Sequence, residues 1–204
     1  MAQKVVGLIL AGGEGRRMGY QNKGLLPLQG RRLVEHVVAR IAPQVDQLYL
    51  SANRDLTCYE SLGLPIITDE PQWEGMGPLA GIASLLPYLE ANQQVQIVSC
   101  DGPLIPVDLV EKLAKALARL QREDAMIKAV YPVTDQREHY IYLQALAKDL
   151  EVVLPLLEKG DLRIRALLKK LSAAPIYFDE ERAFINCNRP QDLEALERNC
   201  DEKL

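Results

Sequence analysis

The chain has 204 residues, 48% of them hydrophobic and 25% charged, with 24 Lys+Arg against 28 Asp+Glu. These proportions suit a globular domain with an ample core and exclude a disordered chain. A net charge of −4 provides no general attraction to nucleic acid or to an anionic membrane, so any anionic ligand must be held by a local cluster of cations.

Val5–Ala11 is a nearly continuous apolar run, as expected of a strand covered on both faces. Leu33, Val34, Val37, Val38 and Ile41 then recur at helical spacing, and Gln47–Ala52 and Ile66–Thr68 read as the next strands. Val95–Cys100 is a second continuous run. Leu109, Val110, Leu113, Leu117 and Leu120 form a helical stripe opened by Pro106, followed by a strand over Ala125–Val130. Beyond residue 130 the pattern loosens. Tyr140–Leu146 is a strand or a helix start, Leu150–Leu157 and Leu162–Leu171 are helical, Ile176–Phe178 is a late strand, and Gln191–Arg198 is a closing helix entered through Pro190. Alternating strands and helices predict a three-layer α/β/α sandwich with a mostly parallel sheet, in one domain over 1–204. Ligands of such folds sit beyond the carboxyl ends of the strands.

No run approaches the ~18 apolar residues of a membrane span. The apolar N-terminus leads into Gly12, Gly13 and two arginines rather than a cleavage site, which predicts a cytoplasmic protein. Cys58, Cys100, Cys187 and Cys200 form no CxxC pair and have no close histidine, so reduced thiols are expected rather than structural zinc.

The first strand is followed by Leu10-Ala11-Gly12-Gly13-Glu14-Gly15-Arg16-Arg17-Met18-Gly19 and then Asn22-Lys23-Gly24. Glycines here allow backbone N–H groups to close on a ligand, and Arg16, Arg17 and Lys23 supply cations, the combination that phosphate recognition needs. The dinucleotide pattern G-x-G-x-x-G fails at Met18, and the Walker pattern fails because Lys23 follows Asn22. A plain β-to-α turn with solvated arginines is the competing reading.

Leu-Ala-Gly-Gly, then Arg-Met-Gly and Lys-Gly-Leu, resembles the nucleotidyltransferase signature, and within it the molybdenum cofactor guanylyltransferases. The resemblance continues through Pro43-Gln44-Val45, Ser51-Ala52-Asn53-Arg54, Gly77-Pro78-Leu79-Ala80-Gly81, Cys100-Asp101-Gly102-Pro103 and Phe184-Ile185-Asn186-Cys187-Asn188, blocks that span almost the whole chain. It implies a Rossmann-like sheet of the nucleotide-diphospho-sugar transferase type. It also implies GTP and molybdenum–molybdopterin as substrates, Mg²⁺ as cofactor and delivery of product through molybdoenzyme-specific chaperones. A monomer or weak homo-oligomer is expected.

Asp101 follows a buried strand, where one carboxylate suffices for Mg²⁺ because phosphate and water fill its remaining positions. A helix cap is the alternative, although Asp108 fits a cap better. A guanine pocket needs acceptors, which Asn53 and Asp69 can supply from strand ends. The resemblance implies that these residues, the Leu10-Ala11-Gly12 backbone, Lys23 and Ser51 contact GTP; Lys23, Arg17 and the Gly12-Gly13 amides suit the leaving pyrophosphate and Asp101 the metal, which makes Lys23, Arg17 and Asp101 the catalytic candidates. Gly77-Pro78 belongs to a second glycine-rich loop that shapes the floor of the site or binds the second substrate. Asn186 and Asn188 lie two apart on an extended stretch and point to one face; the resemblance gives them the pterin.

Four places depart from the family pattern. Asn22 replaces an aspartate, Gly102 a threonine or serine, and Tyr140 a proline; Gly160-Asp161-Leu162-Arg163 is also altered. A phosphate monoester has a second pKa of about 6, so at neutral pH it is already a nucleophile and needs no general base. His36 lies on an apolar helical stripe, and His139 reads equally as exposed or as a phosphate contact. Cys100 lies in a buried run without a base, which makes it a poor nucleophile. The rival readings are a nucleotidyltransferase using CTP or another phosphate acceptor, and a carrier that binds GTP or finished cofactor without turnover.

Overall fold

The computed structural model describes residues 4–12, 22–187 and 190–201. Among these residues the principal sheet has seven strands, and a separate hairpin pairs β2 (Pro27–Leu28) with β3 (Arg31–Arg32). The strands of the large sheet are β1 (Val5–Leu10), β4 (Gln47–Ser51), β5 (Ile66–Ile67), β6 (Gln94–Ser99), β7 (Ala129–Val133), β8 (Gln144–Leu146) and β9 (Ala174–Tyr177). Their spatial order is β5-β4-β1-β6-β8-β7-β9, and β8 alone runs against its neighbours.

The two continuous apolar runs, β1 and β6, lie side by side at the centre. Alternation along each strand sends its residues to opposite faces. Val6, Leu8, Val95 and Ile97 join one core cluster, while Ile9, Leu50, Val98 and Cys100 join the other. Helices α3 (Pro78–Leu85), α5 (Ala147–Leu150), α6 (Val153–Glu158) and α7 (Ile164–Lys170) cover the first face. Helices α1 (Leu33–Ile41), α2 (Leu56–Glu60) and α4 (Leu109–Glu123) cover the second, and α8 (Pro190–Asp201) is the last described helix. The result is the expected three-layer α/β/α arrangement.

The later elements differ from the sequence reading. The strand expected at Ala125 begins at Ala129, because Asp124 ends α4 and its side chain accepts a hydrogen bond from Met126 N. Tyr140–Leu146 resolves into a short strand at its end, and Leu150–Leu157 spans the junction of two helices. Asp108 occupies the N-cap position of α4 but makes no side-chain cap. Gln44 caps the helix instead. Its Oε1 accepts from Val110 N at 3.0 Å, and its Nε2 donates to the carbonyls of Arg40 and Pro106.

From β1 the chain steps to β4 and β5 on one side, then returns through α3 to place β6 on the other. The strand order therefore reverses between β1 and β6, which opens a crevice at their carboxyl ends. Leu10 and Ser99 are register partners at that mouth.

Candidate active site

Beyond β1, Ala11 N donates to Ser51 O at 2.8 Å, which carries the extended backbone into Gly12. Beyond β6 come Ser99, Cys100 and Asp101, and beyond β4 and β5 come Asn53 and Asp69. Lys23 opens a 3-10 turn over Lys23–Leu25 on the same rim. A cavity of about 180 Å³ lies among these strand ends. Its walls include Leu10, Ala11, Gly12, Lys23, Ser51, Asp69, Gly77, Pro78 and Asp101, all expected from the sequence. Ser99, Cys100 and Ile141 also line it and were not expected. Ser99 had a legible signal, a hydroxyl two residues before a strand-end carboxylate; Ile141 had none.

The Asp101 side chain is 9% exposed, and its Oδ2 lies 3.3 Å from Nζ of Lys23. Ser99 Oγ donates to Oδ1 at 2.5 Å. The carboxylate is thus held on both oxygens within a largely desolvated wall, where a cation keeps its charge tolerable. It is a hard oxygen donor at the cavity, and among the described residues no group of three or more His, Cys, Asp or Glu is arranged to hold a metal. One carboxylate beside space for phosphate oxygens fits Mg²⁺, which keeps most of its coordination for phosphate and water.

Asn53 and Asp69 form a reciprocal pair. Asn53 Nδ2 donates to Asp69 Oδ2 at 2.6 Å, and Asp69 N donates to Asn53 Oδ1 at 2.8 Å. Burial raises the Asp69 carboxyl above its ordinary value, the Asn53 hydrogen bond pulls it back, and Glu74 adds to the rise. Asn53 itself stands just behind the wall, close to Gly12.

Two glycines let the walls approach. A Cβ on Gly81 would stand 2.5 Å from Ser51 Oγ and 2.8 Å from Leu10 Cδ2, so only glycine lets α3 abut the ends of β1 and β4. Gly77 has φ +73, and Pro78 then starts α3 with its fixed φ.

The departures from the family pattern have structural partners. Asn22 is buried, its Oδ1 accepts from the Tyr59 hydroxyl at 2.7 Å, and its Nδ2 donates to Asp55 Oδ2 at 3.1 Å. An aspartate at 22 would face the Asp55 carboxylate. A Cβ on Gly102 would overlap the Tyr142 hydroxyl, which leaves no room for threonine or serine. Tyr140 packs at a tilt against Tyr131, its hydroxyl and that of Tyr131 share Glu138, and Arg165 lies 4.8 Å from its ring centroid.

Asn186 does not line the first cavity. It borders a second of about 280 Å³ with Arg137, His139 and Tyr142, and Ile141 lines both. His139 is buried rather than exposed: it stacks on Phe184 at 4.5 Å, and its Nε2 lies 3.1 Å from Thr134 Oγ1. Burial lowers its pKa. His36 packs as expected, with Nε2 2.9 Å from the Leu28 carbonyl oxygen. Burial and the neighbouring Asp101 push the Cys100 thiol well above its ordinary range, which removes it as a nucleophile. Gly13, Arg17 and Asn188 lie outside the described residues. No described helix is long and apolar enough to cross a membrane.

Comparison with known proteins shows the family and the fold. Residues 7–175 match the family of MobA-like NTP transferase domains. The molybdenum cofactor guanylyltransferase of Cupriavidus taiwanensis is 36% identical over 193 residues, covering 95% of this chain and 96% of that one. That of Bordetella petrii is 37% identical, covering 94% and 96%. Among solved structures, the molybdopterin-guanine dinucleotide biosynthesis protein A of Archaeoglobus fulgidus superposes with a TM-score of 0.73 at 24% identity, covering 97% of this chain and 99% of that one. A nucleotidyl transferase of Methanothermobacter gives 0.75 at 16% identity, covering 98% and 99%; both likenesses show the shared fold. By family match and by near full-length identity to curated relatives, the chain belongs to the molybdenum cofactor guanylyltransferases, nucleotidyltransferases with a MobA-like domain.

Proposed function

We propose that this protein transfers GMP from GTP to the terminal phosphate of molybdenum–molybdopterin, giving molybdopterin guanine dinucleotide and pyrophosphate. The observation that carries the reading is the Lys23–Asp101 pair at the reversal of strand order, facing a cavity walled by the Leu10–Gly12 backbone. Glycine-lined amides and a lysine suit the phosphates of a nucleotide. Asp69, steadied by Asn53, offers the carboxylate that guanine N1–H and N2–H₂ require. Ser51 and the Gly77-Pro78 corner shape the same wall.

Nucleotidyltransferases of this kind generally use a divalent metal. In our reading it is Mg²⁺, held by Asp101, and it supplies charge neutralisation on phosphate oxygens. Asn186, at the adjoining cavity, hydrogen-bonds the pterin acceptor, with Asn188 assigned beside it. The acceptor phosphate is largely dianionic at neutral pH, since its second pKa is about 6. Its oxygen attacks the α-phosphorus of GTP in line; the new P–O bond forms as the bond to pyrophosphate breaks, and no protein base removes a proton. Lys23, with Arg17, holds the phosphates in that alignment and offsets the charge of the leaving pyrophosphate. Product passes to a molybdoenzyme-specific chaperone, and the enzyme works in the cytoplasm.

Pyrophosphate release tests this directly, with Mg²⁺ and each nucleoside triphosphate, in the presence and absence of molybdenum–molybdopterin. Release that requires GTP and the pterin together is expected. Equal release with CTP would refute the guanine assignment to Asp69, and GTP binding without release would refute the transferase.

A further inference from the structure

Tyr142 takes no part in the mechanism above, yet it is among the largest fully buried side chains of the protein. Its ring packs edge-on against Phe184, with centroids 5.5 Å apart, which fixes the direction of the hydroxyl. That hydroxyl donates to Asn186 Oδ1 at 2.7 Å. It also fills the space that a side chain at position 102 would need, directly after Asp101. One residue further on, Cys187 N donates to the carbonyl oxygen of Asp101 at 2.8 Å. Three segments distant in sequence therefore meet at one point: the Asp101-Gly102 turn, Tyr142 ahead of β8, and Asn186-Cys187.

We propose that Tyr142 is a positioning residue that clamps Asn186 to the Asp101-Gly102 turn, so that the acceptor side is held in register with the nucleotide side. The inference rests on the assignment of the pterin acceptor to Asn186. The amide oxygen of Asn186 accepts from the tyrosine, which sets the rotation of the amide and hence the direction of its two N–H donors. Burial, together with the nearby Asp101, raises the Tyr142 hydroxyl far above its ordinary range. Gly102 is the complement of this clamp, because any Cβ there would displace the hydroxyl.

The test compares Tyr142→Phe, Asn186→Ala and the double variant, with KM for molybdenum–molybdopterin and for Mg²⁺–GTP measured separately, and with thermal melts to establish folding. Losing one neutral hydrogen bond changes an affinity by about three- to tenfold. Tyr142→Phe should raise the pterin KM by about that factor and the GTP KM by less than about twofold. Asn186→Ala should raise the pterin KM as well, and the double variant should be no worse than Asn186→Ala alone, because the tyrosine acts through the amide. Tyr142→Phe with an unchanged pterin KM, beside an impaired Asn186→Ala, would overturn the clamp. So would equal rises in both KM values, or fully additive effects in the double variant, since either marks general packing. A silent Asn186→Ala would overturn the acceptor assignment itself and the clamp with it; only in that case is Asn186→Ala silent, which tells the two failures apart.

Discussion

Asn22→Asp is the sharpest test of how the side chain next to Lys23 is held. The buried amide donates to Asp55 Oδ2 at 3.1 Å and accepts from the Tyr59 hydroxyl at 2.7 Å. The substitution removes the donor and sets two carboxylates in contact. Two like charges ~4 Å apart repel by about 4 kcal/mol at an effective dielectric constant of about 20. Asp55 is exposed, so solvent and salt screen much of this. The lost hydrogen bond to a charged acceptor adds about 1.5–3 kcal/mol, and a stronger bond from Tyr59 to the new carboxylate offsets part of it. A net loss of about 2 kcal/mol corresponds to about 4–8 °C in melting midpoint for a chain of this size. Repulsion raises the folded-state pKa of the new Asp above its unfolded value. The deficit relative to wild type is therefore full at pH 7 and closes as the pH falls from the raised folded-state value to about 4, below which the group is protonated in both states. Asp55→Asn in the same background should restore most of the loss. Thermal melts at neutral and acid pH measure both effects. A midpoint unchanged at pH 7, or no recovery on Asp55→Asn, would refute the reasoning.

Asp101→Asn keeps the size of the side chain and removes its charge beside Lys23. Turnover should fall by at least about 100-fold with the fold retained, measured as pyrophosphate release beside a melt. Gly81→Ala would press a methyl against Ser51 Oγ and Leu10 Cδ2, with a cost of about 1–3 kcal/mol and a higher KM for GTP. His139 has a pKa lowered by burial, so the folded state binds fewer protons than the unfolded chain between its depressed value and about 6.5. Stability from this group is full above that window and declines as pH falls through it. His139→Gln should flatten this part of the melting profile, and an unchanged slope would remove His139 as its source.

Much of the site was legible in the sequence because it is built from strand ends. A buried strand announces itself as an apolar run, and the residue that follows it must lie at the sheet's edge; Leu10 to Gly12, Asp69 and Asp101 follow from that logic, Ser51 only from the family resemblance, and all line one cavity. Gly77 and Pro78 were legible because a positive φ and a helix start require those residue types. The later strands were poorly legible. β8 is three residues long, runs against its neighbours and is defined by pairing rather than by its own pattern.

Long-range partners were beyond the reach of sequence. Glutamine carries no capping signal, yet Gln44 caps α4 across 66 positions, where Asp108 was expected to do so. Asn22 read as the loss of a charge. Only the fold brings Asp55 to it across 33 positions and makes a neutral amide the residue that fits. Gly102 likewise read as a lost hydroxyl until Tyr142 was found in its space. Backbone preference and strand burial act between near neighbours, so the sequence by itself determined the sandwich and the aspartate at the end of its central strand. Which side chains share a hydrogen bond depends on how distant segments pack, and that only the tertiary structure decided.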